Sequence, residues 1–148
     1  MAEPKMKEAS SNPVGHTEIA DTLTTPILEC NLLEEIQNLH KEDAWLKATG
    51  PSSKTLVKHA DMRIVLIAMK KNVVMREHTT SARISVQTLA GHIHLKLADR
   101  TVDLPAGHLL ALNPNVTHDV VADEDSAFLL TLSWRAEDSE AGETDAQK

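Results

Sequence analysis

The chain reads as an all-β domain, a closed antiparallel barrel or sandwich with a helical segment in front, and three observations predict it. From residue 54 onward, short runs rich in Val, Ile, Leu and Thr recur at even spacing. Each run ends at a turn signal such as Lys71-Asn72, Asp99-Arg100 or Asp123-Glu124-Asp125, and no helical period interrupts the series. Length and composition allow one modest core, since 41% of the 148 residues are hydrophobic. Only Trp45, Phe128 and Trp134 are aromatic, so that core must be aliphatic.

Residues 1–22 carry Pro4, Pro13 and Gly15 without hydrophobic period and are read as a flexible arm. A helical segment is expected over residues 23–53. Asn31 followed by Glu34 resembles a capping box, and Leu32, Ile36 and Leu39 then share a face. Glu34 and Glu35 lie early in this helix, as its dipole prefers. Lys41-Glu42-Asp43 marks a break before a short apolar piece, in which Trp45 docks the segment onto the main domain, and Gly50-Pro51 ends it.

The barrel is expected over residues 54–135. Strands are read at 55–58, 63–70, 73–77, 83–87, 92–97, 101–104, 108–112, 118–121 and 127–134. Residues 136–148 place five acids among small residues and are read as an acidic disordered tail.

Composition excludes several function classes. A net charge of -7 argues against a polyanion binder, because phosphate recognition depends on clustered Lys and Arg. An aromatic content of 2% offers no stacking platform for single-stranded nucleic acid. A single cysteine, Cys30, forbids an internal disulfide and suits a cytoplasmic setting. The first residues lack the apolar stretch of a secretion signal, and the longest apolar run, residues 64–69, cannot span a bilayer. No nucleic-acid or membrane partner is expected. No helix-turn-helix accompanies the strands, so no transcription-factor reading follows.

The most telling stretch is Leu104-Pro105-Ala106-Gly107, a strand over 108–112, then Asn113-Pro114-Asn115 and His118. It resembles the second motif of the cupin superfamily, with Gly107 as the motif's glycine and His118 as its histidine. Asn113 and Asn115 stand at the turn's usual proline and glycine, and Asn tolerates left-handed backbone well enough to make the turn. With Gly91 as the last glycine of the family's first motif, the histidine pair falls on His78 and Thr80. The glutamate position then falls on Ile84, and Asn72 replaces the first glycine. The resemblance implies a double-stranded β-helix (a jelly-roll or cupin barrel), and commonly a homodimer.

Of the four ligand positions the resemblance implies, His78 and His118 keep a ligand. Such barrels use two or three imidazoles and a carboxylate to hold iron, manganese, zinc or nickel. Two histidines alone would hold a divalent metal weakly. The resemblance therefore points first to a small-molecule binder, with His78, Thr80, Gln87 and His118 lining the barrel mouth. The alternatives are a metal-dependent oxygenase or isomerase using His78 and His118, and a non-catalytic dimeric scaffold whose cavity is filled by Met69, Met75 and Ile84.

His92 and His94 lie two apart on a strand and so share one face, a spacing that can chelate a metal. Ile93, Leu95 and Leu97 form the opposite stripe, which assigns the histidine face to solvent or a subunit contact, with no third ligand in view. No nucleophile elbow or phosphate-cradling loop occurs, and the chain has only five glycines. Cys30, just before a helix N-terminus, stands where a thiolate would be stabilised, but its expected role is structural.

Overall fold

The computed structural model describes residues 26–135. The arm at 1–22 and the acidic tail at 136–148 lie outside the described residues. Among the described residues two helical pieces come first, α1 (Leu32–Leu39) and the single turn α2 (Asp43–Leu46). Nine strands follow: β1 (Ser52–Lys58), β2 (Met62–Met69), β3 (Val74–His78), β4 (Arg83–Ala90), β5 (His92–Lys96), β6 (Thr101–Pro105), β7 (Leu109–Leu112), β8 (His118–Ala122) and β9 (Ser126–Ser133). They form two antiparallel sheets in the orders β1-β2-β9-β4-β7 and β3-β8-β5-β6, the double-stranded β-helix expected from the sequence. The first strand begins earlier than expected, at Ser52. Among the described residues no helix is long and apolar enough to cross a membrane.

Facing layers follow from the two-residue strand period. Between the sheets lie Ile67, Met69, Ile84, Val86, Ile93, Leu95, Val120 and Phe128, an almost wholly aliphatic core. The other face of the five-stranded sheet is also covered, since Leu56, Leu66, Ala68 and Ala127 pack against Ile36, Leu39 and Trp45. Strands β2 and β9 are therefore buried on both faces, which is why residues 64–69 read as an unbroken apolar run.

The helical segment forms as its caps predict. Asn31 Oδ1 accepts from the Glu34 amide at 3.2 Å, and the chain breaks after Leu39 before α2 begins. Glu35 does more than complement the dipole: it is 6% exposed, and its Oε1 lies 2.8 Å from Nζ of Lys54 on β1, itself 4% exposed. Trp45 packs into the interface as expected, stacked on His40 with ring centroids 4.0 Å apart and with Lys70 Nζ 5.0 Å from its ring. At Cys30 burial and then the Glu35 carboxylate push the thiol up, against the opposing pull of Lys54, which disfavours a thiolate beside the helix N-terminus.

Burial holds the His40 pKa below the ordinary range, with Asp125 opposing and Lys70 reinforcing the shift. As pH falls, the unfolded chain takes up this proton before the folded one. The stability His40 contributes is therefore present above about pH 6.5 and is lost as pH drops through that value toward the folded-state pKa. His40→Asn is expected to flatten this acid-side slope in urea unfolding followed against pH; an unchanged slope would assign it to other groups.

Three turns use the left-handed backbone the sequence anticipates. Asn72 (φ 74°) and Asn115 (φ 67°) serve where the family has glycines, and Gly91 (φ 79°) closes β4 onto β5. Asn115 is pinned by its amide on the Thr80 carbonyl at 2.9 Å, and the Asn113 side chain accepts from Arg83.

Candidate functional site

A cavity of about 490 Å³ opens between β1, β2 and β9 of the larger sheet and β3, the edge strand of the smaller one. Its apolar wall comes from Val65, Ile67, Val74, Met75, Leu130 and Leu132. Ser53 and Thr55 of β1 contribute hydroxyls, as does Thr80 from the β3–β4 connection. Two arginines complete the lining, Arg63 on β2 and Arg76 on β3. Arg63 is 7% exposed, and its guanidinium carbon lies 5.8 Å from the centroid of the Trp134 ring. Among the described residues no acidic side chain lines this cavity. Strand parity builds the site: Arg63, Val65, Ile67 and Met69 share the inward face of β2, while Leu66 and Ala68 face the helices.

Thr80, expected at the barrel mouth, stands in this lining; it is 7% exposed and its Oγ1 accepts from the Ala82 amide at 3.1 Å. His118 points inward with Val120 and Ala122, 6% exposed, and lies outside the cavity lining. Its Nδ1–H donates to the Val116 carbonyl at 2.9 Å, which fixes the ring's orientation. His78 pairs with His118 across the β3–β8 register after a bulge, and its side chain lies outside the described residues. Gln87 is not brought to the site. Its neighbours Val86 and Thr88 face inward, Thr88 Oγ1 donating to Leu104 O of the opposite sheet, so Gln87 is exposed on the outer face. Met69 and Ile84 fill the interior as the scaffold reading required, but Met75 only borders a cavity that stays open.

Sequence reasoning missed Arg63 and Arg76. A charge at one end of a hydrophobic strand, in phase with Val65 and Ile67, was the available signal. It is weak, because both phases of β2 are apolar.

A model of the AraC-like ligand-binding domain matches residues 63–140, more than half of the chain. The chain belongs to the AraC-like ligand-binding domain family. No curated protein matches it. Among solved structures, a conserved protein of unknown function from Streptococcus pyogenes is 20% identical, with a TM-score of 0.63 over 78% of this chain and 97% of that one. An RmlC-like cupin from Shewanella frigidimarina is 21% identical, with a TM-score of 0.55 over 60% of this chain and 80% of its own. KdgF from Halomonas sp. is also 21% identical, with a TM-score of 0.54 over 60% and 84% of the two chains. At these identities the likeness shows the fold: this AraC-like ligand-binding domain is a small cupin.

The metal centre that the cupin fold implies does not fit the residues present. Thr80, at the second histidine position, offers a neutral hydroxyl already engaged with the Ala82 amide. Ile84, at the glutamate position, is 4% exposed within the apolar core and offers no donor atom. Of the motif's four ligand positions only those at His78 and His118 keep a ligand residue type, and none keeps a carboxylate, short of the imidazole-and-carboxylate set such centres use. No reaction step through a barrel metal is derived.

Proposed function

We propose that this AraC-like ligand-binding domain binds a small organic anion, a carboxylate on an apolar body, in the cavity between β1, β2, β9 and β3. The observation that carries this reading is Arg63, a nearly buried arginine on the wall of a cavity that combines an apolar side with hydroxyls and no acidic side chain among the described residues. Guanidinium presents a planar fork of donors that a carboxylate meets with two parallel hydrogen bonds. Arg76 adds a second positive charge from the facing sheet, and Ser53, Thr55 and Thr80 supply hydroxyls able to donate to the remaining oxygens. The volume falls within the usual range for small-molecule sites, about 300–1,000 Å³, which favours binding over a packed scaffold. The missing glutamate and second histidine favour binding over a metal-dependent oxygenase or isomerase.

The test is calorimetry with a panel of mono- and dicarboxylates, each beside its neutral amide or alcohol analogue. Carboxylates are expected to bind and the neutral analogues to bind weakly or not at all. Arg63→Met, which keeps the apolar stem, should weaken the best carboxylate by about 30-fold or more, the loss expected when one partner of a buried charge pair is removed. A ligand held equally well by Arg63→Met, or a preference for the neutral analogues, would sink the reading.

A further inference from the structure

Outside the barrel, β5 turns two imidazoles outward, because Ile93 and Leu95 alternate with them and are both fully buried. β5 lies between β8 and β6, and each neighbour brings a carboxylate to the same face. Asp103 of β6 sits directly across from His94. Asp123 leaves the end of β8, where its amide donates to the His92 carbonyl at 2.8 Å. The result is convergence on one ring nitrogen. His92 Nε2 lies 3.5 Å from Asp103 Oδ1 and 3.8 Å from Asp123 Oδ2. The three groups' ligand atoms all lie within 4.8 Å of one another.

Two details distinguish this cluster from ordinary surface ion pairs. His92 Nε2 is sealed from solvent and makes no hydrogen bond among the described residues. Its carboxylate spacings also exceed the 2.7–2.9 Å or so of a charge-assisted hydrogen bond. Zinc holds N and O ligands at about 2.0–2.2 Å, which sets tetrahedral ligand atoms roughly 3.3–3.6 Å apart; the Asp103 separation falls in that range, and the Asp123 separation and the spread of the three atoms would have to close by a few tenths of an ångström to about 1 Å around a bound ion. We infer that His92, Asp103 and Asp123 form a binding site for a zinc-class divalent cation on the outer face of the smaller sheet, separate from the barrel cavity.

His94 is a positioning residue here. Its Nδ1 lies 3.0 Å from both Asp123 oxygens, so it orients the carboxylate and spends that nitrogen doing so. The Asp103 side chain is 73% exposed, which leaves the fourth coordination position open to water. One imidazole and two carboxylates suit zinc, cobalt or nickel better than magnesium or calcium, which take mainly oxygen ligands.

The test uses zinc chloride, with cobalt(II) as a visible-absorbing substitute, on the full chain prepared without chelator. One zinc per chain is expected by calorimetry, with cobalt absorption of tetrahedral intensity. His92→Ala should abolish uptake and Asp123→Asn should weaken it at least tenfold. His94→Gln should weaken it by about 10- to 100-fold, as loss of an orienting partner does. These side chains face outward, and circular dichroism would verify that each variant is folded. His118→Ala, which alters the barrel interior, should leave uptake unchanged. Absence of stoichiometric uptake, undiminished uptake by His92→Ala, or loss of uptake in His118→Ala would each overturn the site.

Discussion

Glu35→Ala is expected to destabilise the domain by about 3–5 kcal/mol, measured by urea unfolding, because it strands the Lys54 ammonium where water cannot reach it. The two side chains are only 6% and 8% exposed, and Nζ stands 2.8 Å from Oε1. The same helix–sheet interface is built from Ile36, Leu39, Leu56 and Leu66, which carry no acceptor for the ammonium. Lys54→Ala should cost less, because Asn38 Nδ2 stands 3.5 Å from Glu35 Oε1 and still offers that carboxylate a donor. The pair itself adds little net stability, since desolvating two charges offsets most of their attraction. Replacing both by methionine should therefore be neutral or stabilising. If either single variant costs less than about 1 kcal/mol, the pair is solvated and behaves as a surface ion pair. The consequence reaches the site. Ser53 and Thr55, which flank Lys54 and face the other way, line the cavity, so the clamp that seats α1 also seats that wall.

Gly91→Ala is the second large effect expected, about 2–4 kcal/mol. Its φ of 79° costs a β-carbon roughly 1–2 kcal/mol in the left-handed region. A steric term adds to this, because a Cβ there would run into Asp125 O and Ser126 Oγ and come within 2.8 Å of Ser126 Cα. Those atoms cannot easily yield. Ser126 Oγ accepts from the His92 amide at 2.9 Å and donates toward the Glu124 carbonyl at 2.7 Å, tying the β8–β9 turn to the start of β5. Gly107 is the internal control: its φ of 90° is equally left-handed, but nothing lies within 4 Å of a Cβ built there. Gly107→Ala should cost only that backbone strain, about 1–2 kcal/mol. Equal losses at the two positions would mean that backbone strain alone sets the requirement for glycine. Zinc uptake offers a separate readout, since displacing the 123–125 turn would move Asp123 away from His92.

Much of the fold was legible because its signals are local. The Asn31 cap, the break after Leu39, the left-handed turns at Asn72, Gly91 and Asn115, and the alternation of His92-Ile93-His94-Leu95 all depend on a few neighbouring residues. A single sequence displays such relations directly. The same locality allowed the cupin pattern to be aligned from Gly91 back to His78 and from Gly107 forward to His118. It also exposed the substitutions at Thr80 and Ile84 that remove the expected barrel ligands.

The candidate sites were legible only in part, because they depend on which strands become neighbours. Gln87 was assigned to the barrel, but between Val86 and Thr88 it faces out. Arg63 looked like one more residue of a strand apolar in both phases, and burial of β2 between helix and barrel is what sets it against the cavity. His92 and His94 were visible as a pair without a third ligand. Asp103 and Asp123 reach them only through the β5–β6 and β5–β8 pairings, 9 and 29 residues along from His94 respectively. Glu35 looked like a dipole-complementing acid until β1 placed Lys54 under it. The elements, their turns and the family pattern can be read along the chain, since each follows from short-range sterics and periodicity. Which charges meet is settled in the folded domain, because charge partners are set by strand order and register, and those emerge when the whole chain closes around its core.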